Sequence, residues 1–232
     1  TEPPAKIEGQ YPHGPQPRAH WLLLDITQAV GLIPFTYSCS AADMTVLSAH
    51  KHGGPRGVGA LIVRDGLDIS PLSTGGGQEL GRRSGTENLI GIAGFAAAAR
   101  AAQRDLEDGT MSRVAKLRDI LEMTLEDGAP GTIFVGKKGS RLPNTSCFIS
   151  PGWKGETQVM QMDLAGFAVS AGSACSSGKV KASSVLRAMG YSEADAGAAL
   201  RVSLGPETTE EEVLRFAEAW LKARHRHQAR AA

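Results

Sequence analysis

Apolar residues fall into short runs early in the chain and into helical spacing further on. Trp21-Leu22-Leu23-Leu24 ends in Asp25, the pattern of a strand buried on both faces that stops at a polar residue. Met44 to Leu47 is a second run, ending in Ser48-Ala49-His50-Lys51, and Gly59 to Val63 is a third, closing at Arg64-Asp65-Gly66. From Glu87 to about Glu126 the texture is helical, with Leu89, Ile92, Phe95 and an alanine run, then Met111, Val114, Leu117, Ile120, Leu121 and Leu125. Glu107-Asp108-Gly109 divides this stretch into two helices. Short strands are predicted around Thr132 to Val135, Ser146 to Ile149, Phe167 to Ser170 and Leu200 to Leu204. Thr208-Thr209-Glu210-Glu211 offers a capping box, Thr208 with Glu211, before Val213, Phe216, Ala217, Trp220 and Leu221 make one apolar face.

This pattern divides the chain in three. Residues 1–20 carry five prolines and few aliphatics, an irregular arm. Residues 21–105 read as α/β, and 106–232 as a small α+β domain. In open α/β sheets ligands bind at strand ends, so two early strands that end in Asp25 and in Ser48 to Lys51 carry information about function.

Composition narrows the partners. Lys and Arg number 25 against 24 acidic residues, so no global field favours nucleic acid or an anionic membrane. Three cysteines, Cys39, Cys147 and Cys175, are odd in number and lack a CxxC pair, which argues against a disulfide framework or a zinc knuckle and fits a reducing cytosol. The first twenty residues hold no apolar stretch of signal-peptide length and no later run approaches a membrane span, so a cytoplasmic protein is expected.

Lys51 sits just past a buried strand, before Gly53-Gly54-Pro55-Arg56-Gly57, where restricted freedom and apolar neighbours favour Schiff-base chemistry; a surface lysine beside a turn is the alternative. Asp25 suits the carboxylate that keeps a pyridine nitrogen protonated, or caps a helix. Gln28 can donate to a ring oxygen, and Ser48 and His50 to a phosphate. In Ser170-Ala171-Gly172-Ser173-Ala174-Cys175-Ser176-Ser177-Gly178 a cysteine stands among small residues after a strand, as a nucleophile or sulfur carrier requires. Cys39 and Cys147, beside apolar residues, are expected to be buried and inert. Gly75-Gly76-Gly77-Gln78-Glu79 and Arg83-Ser84-Gly85-Thr86 are a weak phosphate-loop signal. Arg201, in a strand-like run, either lies on a solvent face or points inward to pair with a carboxylate such as a substrate's.

Ser-Ala-His-Lys together with Gly-Ser-Ala-Cys-Ser-Ser-Gly resembles the cysteine desulfurases with the longer cysteine loop, a NifS/IscS-like group of class-V aminotransferases, from about Leu22 to Leu221. The resemblance implies an α/β fold, the type I fold of pyridoxal 5'-phosphate (PLP) transferases related to aspartate aminotransferase. Residues 21–105 would be the C-terminal part of the PLP-binding large domain, lacking its N-terminal part, and residues 106–232 the small domain with the cysteine loop. It further implies PLP as cofactor, Lys51 as the Schiff-base lysine, Asp25 at the pyridine nitrogen, Gln28 at the ring hydroxyl, and Ser48 and His50 at the phosphate. Thr86 would reach the phosphate of the neighbouring subunit in a homodimer, and Asn144 and Arg201 would bind the substrate carboxylate. The implied activity converts L-cysteine to L-alanine and a persulfide on Cys175, for an iron-sulfur scaffold or a tRNA-thiolation enzyme, with no direct nucleic-acid contact and no membrane. Two alternatives stand beside it: a non-catalytic remnant that dimerises or binds a partner, and a related PLP lyase or aminotransferase.

Overall fold

In the first part of the chain three strands, β1 (Leu23–Asp25), β2 (Met44–Ser48) and β3 (Gly59–Val63), form one sheet in that order, β1 parallel and β3 antiparallel to β2. The structure is a computed structural model that describes residues 20–172 and 182–231. It divides into two compact units, one up to Gln103 and one from Arg104.

The first strand departs from expectation. Leu23 is 52% exposed rather than buried on both faces, and among the described residues β1 has a neighbouring strand on one side alone. A left-handed turn, α1 (Gln78–Gly81), with Glu79 and Leu80 at φ 52° and 58°, precedes the long helix α2 (Leu89–Glu107). Asn88 caps α2 by accepting from the Gly91 N–H at 3.0 Å. The helix stops at the expected break, where Gly109 takes φ 82° and Asp108 Oδ1 accepts from the Thr110 N–H at 2.9 Å, opening α3 (Thr110–Gly128).

The second unit is a four-stranded sheet packed under helices. Strands β4 (Ile133–Phe134), β5 (Thr145–Ile149), β6 (Ser170–Ala171) and β7 (Ala199–Ser203) lie in the order β4-β5-β7-β6, each pairing antiparallel. Successive side chains alternate between faces, so Phe148, Leu200 and Val202 enter one core, while Ile149 and Ala199 enter another. The first core receives Leu117, Leu121 and Leu125 of α3 and Val213, Phe216, Ala217 and Trp220 of α7 (Glu210–Ala231), at the spacing the sequence shows. Helix α4 (Gly155–Leu164) adds Met162 to this core and is not singled out by the sequence pattern. The second core is covered by α5 (Ser184–Ala188) and α6 (Glu193–Gly197) through Leu186 and Ala196.

Two boundaries shift. The third short strand of this unit begins at Ser170, not Phe167, because Phe167 packs edge-on against Phe216 in the core. The capping box is Thr209 with Glu212, one residue later than expected: Thr209 N–H donates to Glu212 Oε2 at 2.9 Å and Glu212 N–H to Thr209 Oγ1 at 3.2 Å. Thr208 is engaged elsewhere, its hydroxyl accepting from the Gly205 N–H at 2.9 Å. Among the described residues no helix is long and apolar enough to cross a membrane.

Candidate functional site

The parallel pairing of β1 and β2 sends both strands out at the same end of the sheet, Asp25 opposite Val46, with β2 running two residues further to Ser48. The acid and the lysine-bearing turn therefore leave adjacent strand ends. Hydrogen bonding from the Thr27 side chain and from its N–H holds the Asp25 carboxyl below its ordinary value, so it stays ionised at neutral pH. Gln28 follows in the same turn and is exposed.

After Ser48 the chain makes one 3-10 turn, Ala49–Lys51. Ala49 is fully buried and its carbonyl accepts from the N–H groups of His52 and Gly54. A Cβ at Gly54 would stand 2.8 Å from the Ala49 Cβ, so only glycine lets the chain fold back beneath this turn. His50 and Lys51 are consequently presented outward, and Ser48 Oγ lies 2.8 Å from His50 Nδ1. Lys51 forms no ion pair among the described residues.

His52, which the sequence pattern does not single out, anchors this turn from below. Its ring packs 5.4 Å from Phe95 of α2, and both ring nitrogens are buried without a hydrogen-bond partner. Burial pushes its pKa down. The unfolded chain thus binds the proton more readily, and stability is full above about pH 6.5 and declines as the pH falls towards the folded-state value. His52→Phe is expected to lose less thermal stability than the parent between about pH 7.5 and about pH 5.5; equal losses would show that His52 does not carry this dependence. A second histidine directly after the lysine was the available signal.

The glycine-rich stretch is ordered by Arg83, which pairs with Glu79 at 3.1 Å and donates to the Gly85 carbonyl at 2.6 Å. Thr86 follows, exposed, with no hydrogen bond to the Lys51 turn among the described residues.

In the second unit Arg201 occupies the middle of β7, opposite Cys147 of β5 on one side and Ser170 of β6 on the other. Directly opposed residues share a face, so Cys147, Arg201 and Ser170 form a row on the side that also bears Ile149 and Ala199. Arg201 is half-buried, and its Nε is buried without a hydrogen-bond partner. Elsewhere in this unit Arg141 pairs with Glu122, Arg118 with Asp119 and Lys137 with Glu126. Burial raises the Cys147 pKa, with the Arg201 charge acting in the opposite direction. Cys147 is half-buried as a packing thiol should be, whereas Cys39 is exposed, contrary to expectation, because the 3-10 turn Tyr37–Cys39 has no buried residue.

Asn144 stands one residue before β5. Its carbonyl accepts from the Leu204 N–H at 2.7 Å, and its Oδ1 lies 3.4 Å from the Thr145 hydroxyl. No hydrogen bond joins it to Arg201 among the described residues. Cys175 lies outside the described residues. The chain enters that segment from β6 and is described again at Ala182, which packs with Ile149, Leu186 and Ala199. On the near side Ala171, the last residue of β6, packs against the first core, so the two flanks meet opposite faces of the sheet.

A known family model spans most of both units. Residues 15–216 match the family described as aminotransferase class-V. The chain belongs to that family. Class-V relatives include the cysteine desulfurase of Cereibacter sphaeroides, 43% identical over 194 residues, or 84% of this chain and 49% of the relative. The solved structure of a NifS-like protein from Rickettsia africae is 32% identical with a TM-score of 0.76, covering 87% of this chain and 53% of that one. The structure of SspA in complex with cysteine is 29% identical with a TM-score of 0.59, covering 82% and 51%. The fold is therefore that of the type I PLP-dependent enzymes to which class V belongs, and the chain spans about half the length of these relatives.

Proposed function

We propose that this chain carries the lysine turn and the sulfur-receiving side of a cysteine desulfurase site. The observation that carries the reading is Arg201: a half-buried arginine with a buried, unpartnered Nε, directly beside the strand that leads to Cys175. A buried donor without a partner is costly, and a substrate carboxylate relieves that cost. Kinship with enzymes named cysteine desulfurase, and with a relative solved with cysteine, supports L-cysteine as the substrate.

The groups of the first unit fit PLP. Ser48 and His50 would hold its phosphate with Thr86 of a neighbouring subunit, Gln28 its ring hydroxyl, Asp25 its ring nitrogen and Lys51 its aldehyde carbon. When bound, PLP supplies an electron-withdrawing ring that stabilises negative charge at the substrate Cα. Asp25, already ionised, keeps the matching positive charge in place. Lys51 carries the Cα proton once its amine is free. Arg201 and Asn144 fix the carboxylate. The Cys175 thiolate attacks the substrate sulfur, the Cβ–S bond breaks, and a proton replaces the sulfur on carbon. Overall, L-cysteine and the Cys175 thiol give L-alanine and a Cys175 persulfide.

In this reading residues 21–105 form the later part of the cofactor domain and residues 106–232 the small domain. The protein works as a cytoplasmic homodimer and hands sulfur to an iron-sulfur scaffold or a tRNA-thiolation enzyme. The test is alanine release by the full chain supplied with PLP and L-cysteine. Alanine is expected, and Arg201→Ala should raise KM for L-cysteine about 10–100-fold, the value of one charge-assisted hydrogen bond. Absence of alanine would leave a non-catalytic binding module.

A further inference from the structure

Glu122 is a fully buried carboxylate on α3, 2% exposed, on a helix whose neighbouring inward positions are Leu117, Leu121 and Leu125. Its bonds run across to one short segment. Arg141 donates to both of its oxygens, at 2.7 and 3.0 Å, and the Ser146 hydroxyl donates to Oε1 at 2.7 Å. One turn earlier on α3, Arg118 donates to the Leu142 carbonyl at 2.9 Å. From the opposite side the Leu204 N–H of the chain after β7 donates to the Asn144 carbonyl at 2.7 Å. The segment 141–146 is therefore held at Arg141, Leu142, Asn144 and Ser146, and Glu122 grips it on both sides of Asn144.

A buried ion pair of this kind seldom stabilises more than well-packed apolar residues would, so stability is a weak account of it, whereas its fork holds the segment in one geometry.

We infer that Glu122 is a positioning residue, which fixes the Asn144 turn for the substrate carboxylate through Arg141 and Ser146. This rests on the proposed substrate role of Asn144. Glu122→Gln keeps the shape but cannot accept from Arg141 at both ends, and Arg141→Lys removes the same fork from the other partner.

Two readouts test it in the full chain. Hydrogen exchange of the peptide spanning residues 141–146 should accelerate about tenfold in Glu122→Gln and in Arg141→Lys, while the α7 peptide around Trp220 stays as in the parent. Unchanged exchange overturns the inference whether or not alanine is formed. With turnover, Glu122→Gln should raise KM for L-cysteine about fivefold with kcat within about twofold, and the double variant with Asn144→Ala should be no worse than Asn144→Ala alone. If Asn144→Ala leaves KM unchanged, the reading of Asn144 fails. If Asn144→Ala raises KM and Glu122→Gln does not, the inference about Glu122 fails by itself.

Discussion

Replacing Lys51 by alanine is expected to cut alanine release from L-cysteine at least about a thousandfold, within the range that loss of a positioned proton-transfer group produces. The lysine is assigned two tasks, holding the cofactor and carrying the Cα proton, and no neighbouring side chain replaces it. His50, the nearest candidate, is bonded to Ser48 at 2.8 Å and assigned to the phosphate. The folded structure should not notice the change: Lys51 is exposed, forms no ion pair among the described residues, and leaves the buried Ala49 pivot intact. Stability within about 0.5 kcal/mol of the parent is expected from thermal or denaturant unfolding. Alanine release at the parental rate would remove Lys51 from the mechanism.

Trp220→Ala is expected to destabilise the second unit by about 3–5 kcal/mol, the cost of emptying a large aromatic site in a core. Trp220 is fully buried, meets Phe148 edge-on at 5.3 Å and Trp153 at 5.6 Å, and carries the Arg224 guanidinium 5.8 Å from its ring centre. Its Nε1–H donates to Gln158 Oε1 at 3.0 Å, and the Gln158 amide in turn donates to the carbonyls of Trp153 and Ala198. Removing the indole leaves both a void and a buried acceptor without its donor. Urea unfolding of the full chain, followed by the fluorescence of Trp153, measures the change. A loss below about 1 kcal/mol would mean that the core refills the space.

Much of the fold was legible because its signals are local. The apolar runs at Met44 and Gly59 gave β2 and β3, and the α7 face from Val213 to Trp220 follows from helical spacing alone. The errors arose where local pattern is silent. An apolar run cannot say how many strands will flank it, so Leu23 was expected inside and is exposed. Two adjacent threonines before three glutamates permit two capping registers, and the Gly205 N–H, by taking Thr208, decides between them. Helix α4 was missed because its buried positions, Gly155, Gln158 and Met162, include a glycine and an amide rather than an aliphatic stripe.

The candidate site divides in the same way. Asp25, Ser48, His50 and Lys51 were legible as strand-end chemistry. The row of Cys147, Arg201 and Ser170 was not, since it depends on pairing between segments distant in sequence. Neither was the grip of Glu122 on the Asn144 turn, for a lone glutamate on an apolar helix face gives no hint of its partner. His52 escaped notice because its role comes from Phe95, far along the chain.

In the proposed mechanism sulfur from L-cysteine comes to rest on Cys175. Mass analysis of peptides from the PLP-loaded chain after a single turnover tests it most directly. The Cys175 peptide is expected to gain one sulfur atom, released by a reductant, while the Cys39 and Cys147 peptides are unchanged. Alanine formed with no added sulfur on Cys175, or with the sulfur on Cys39 or Cys147, would contradict it.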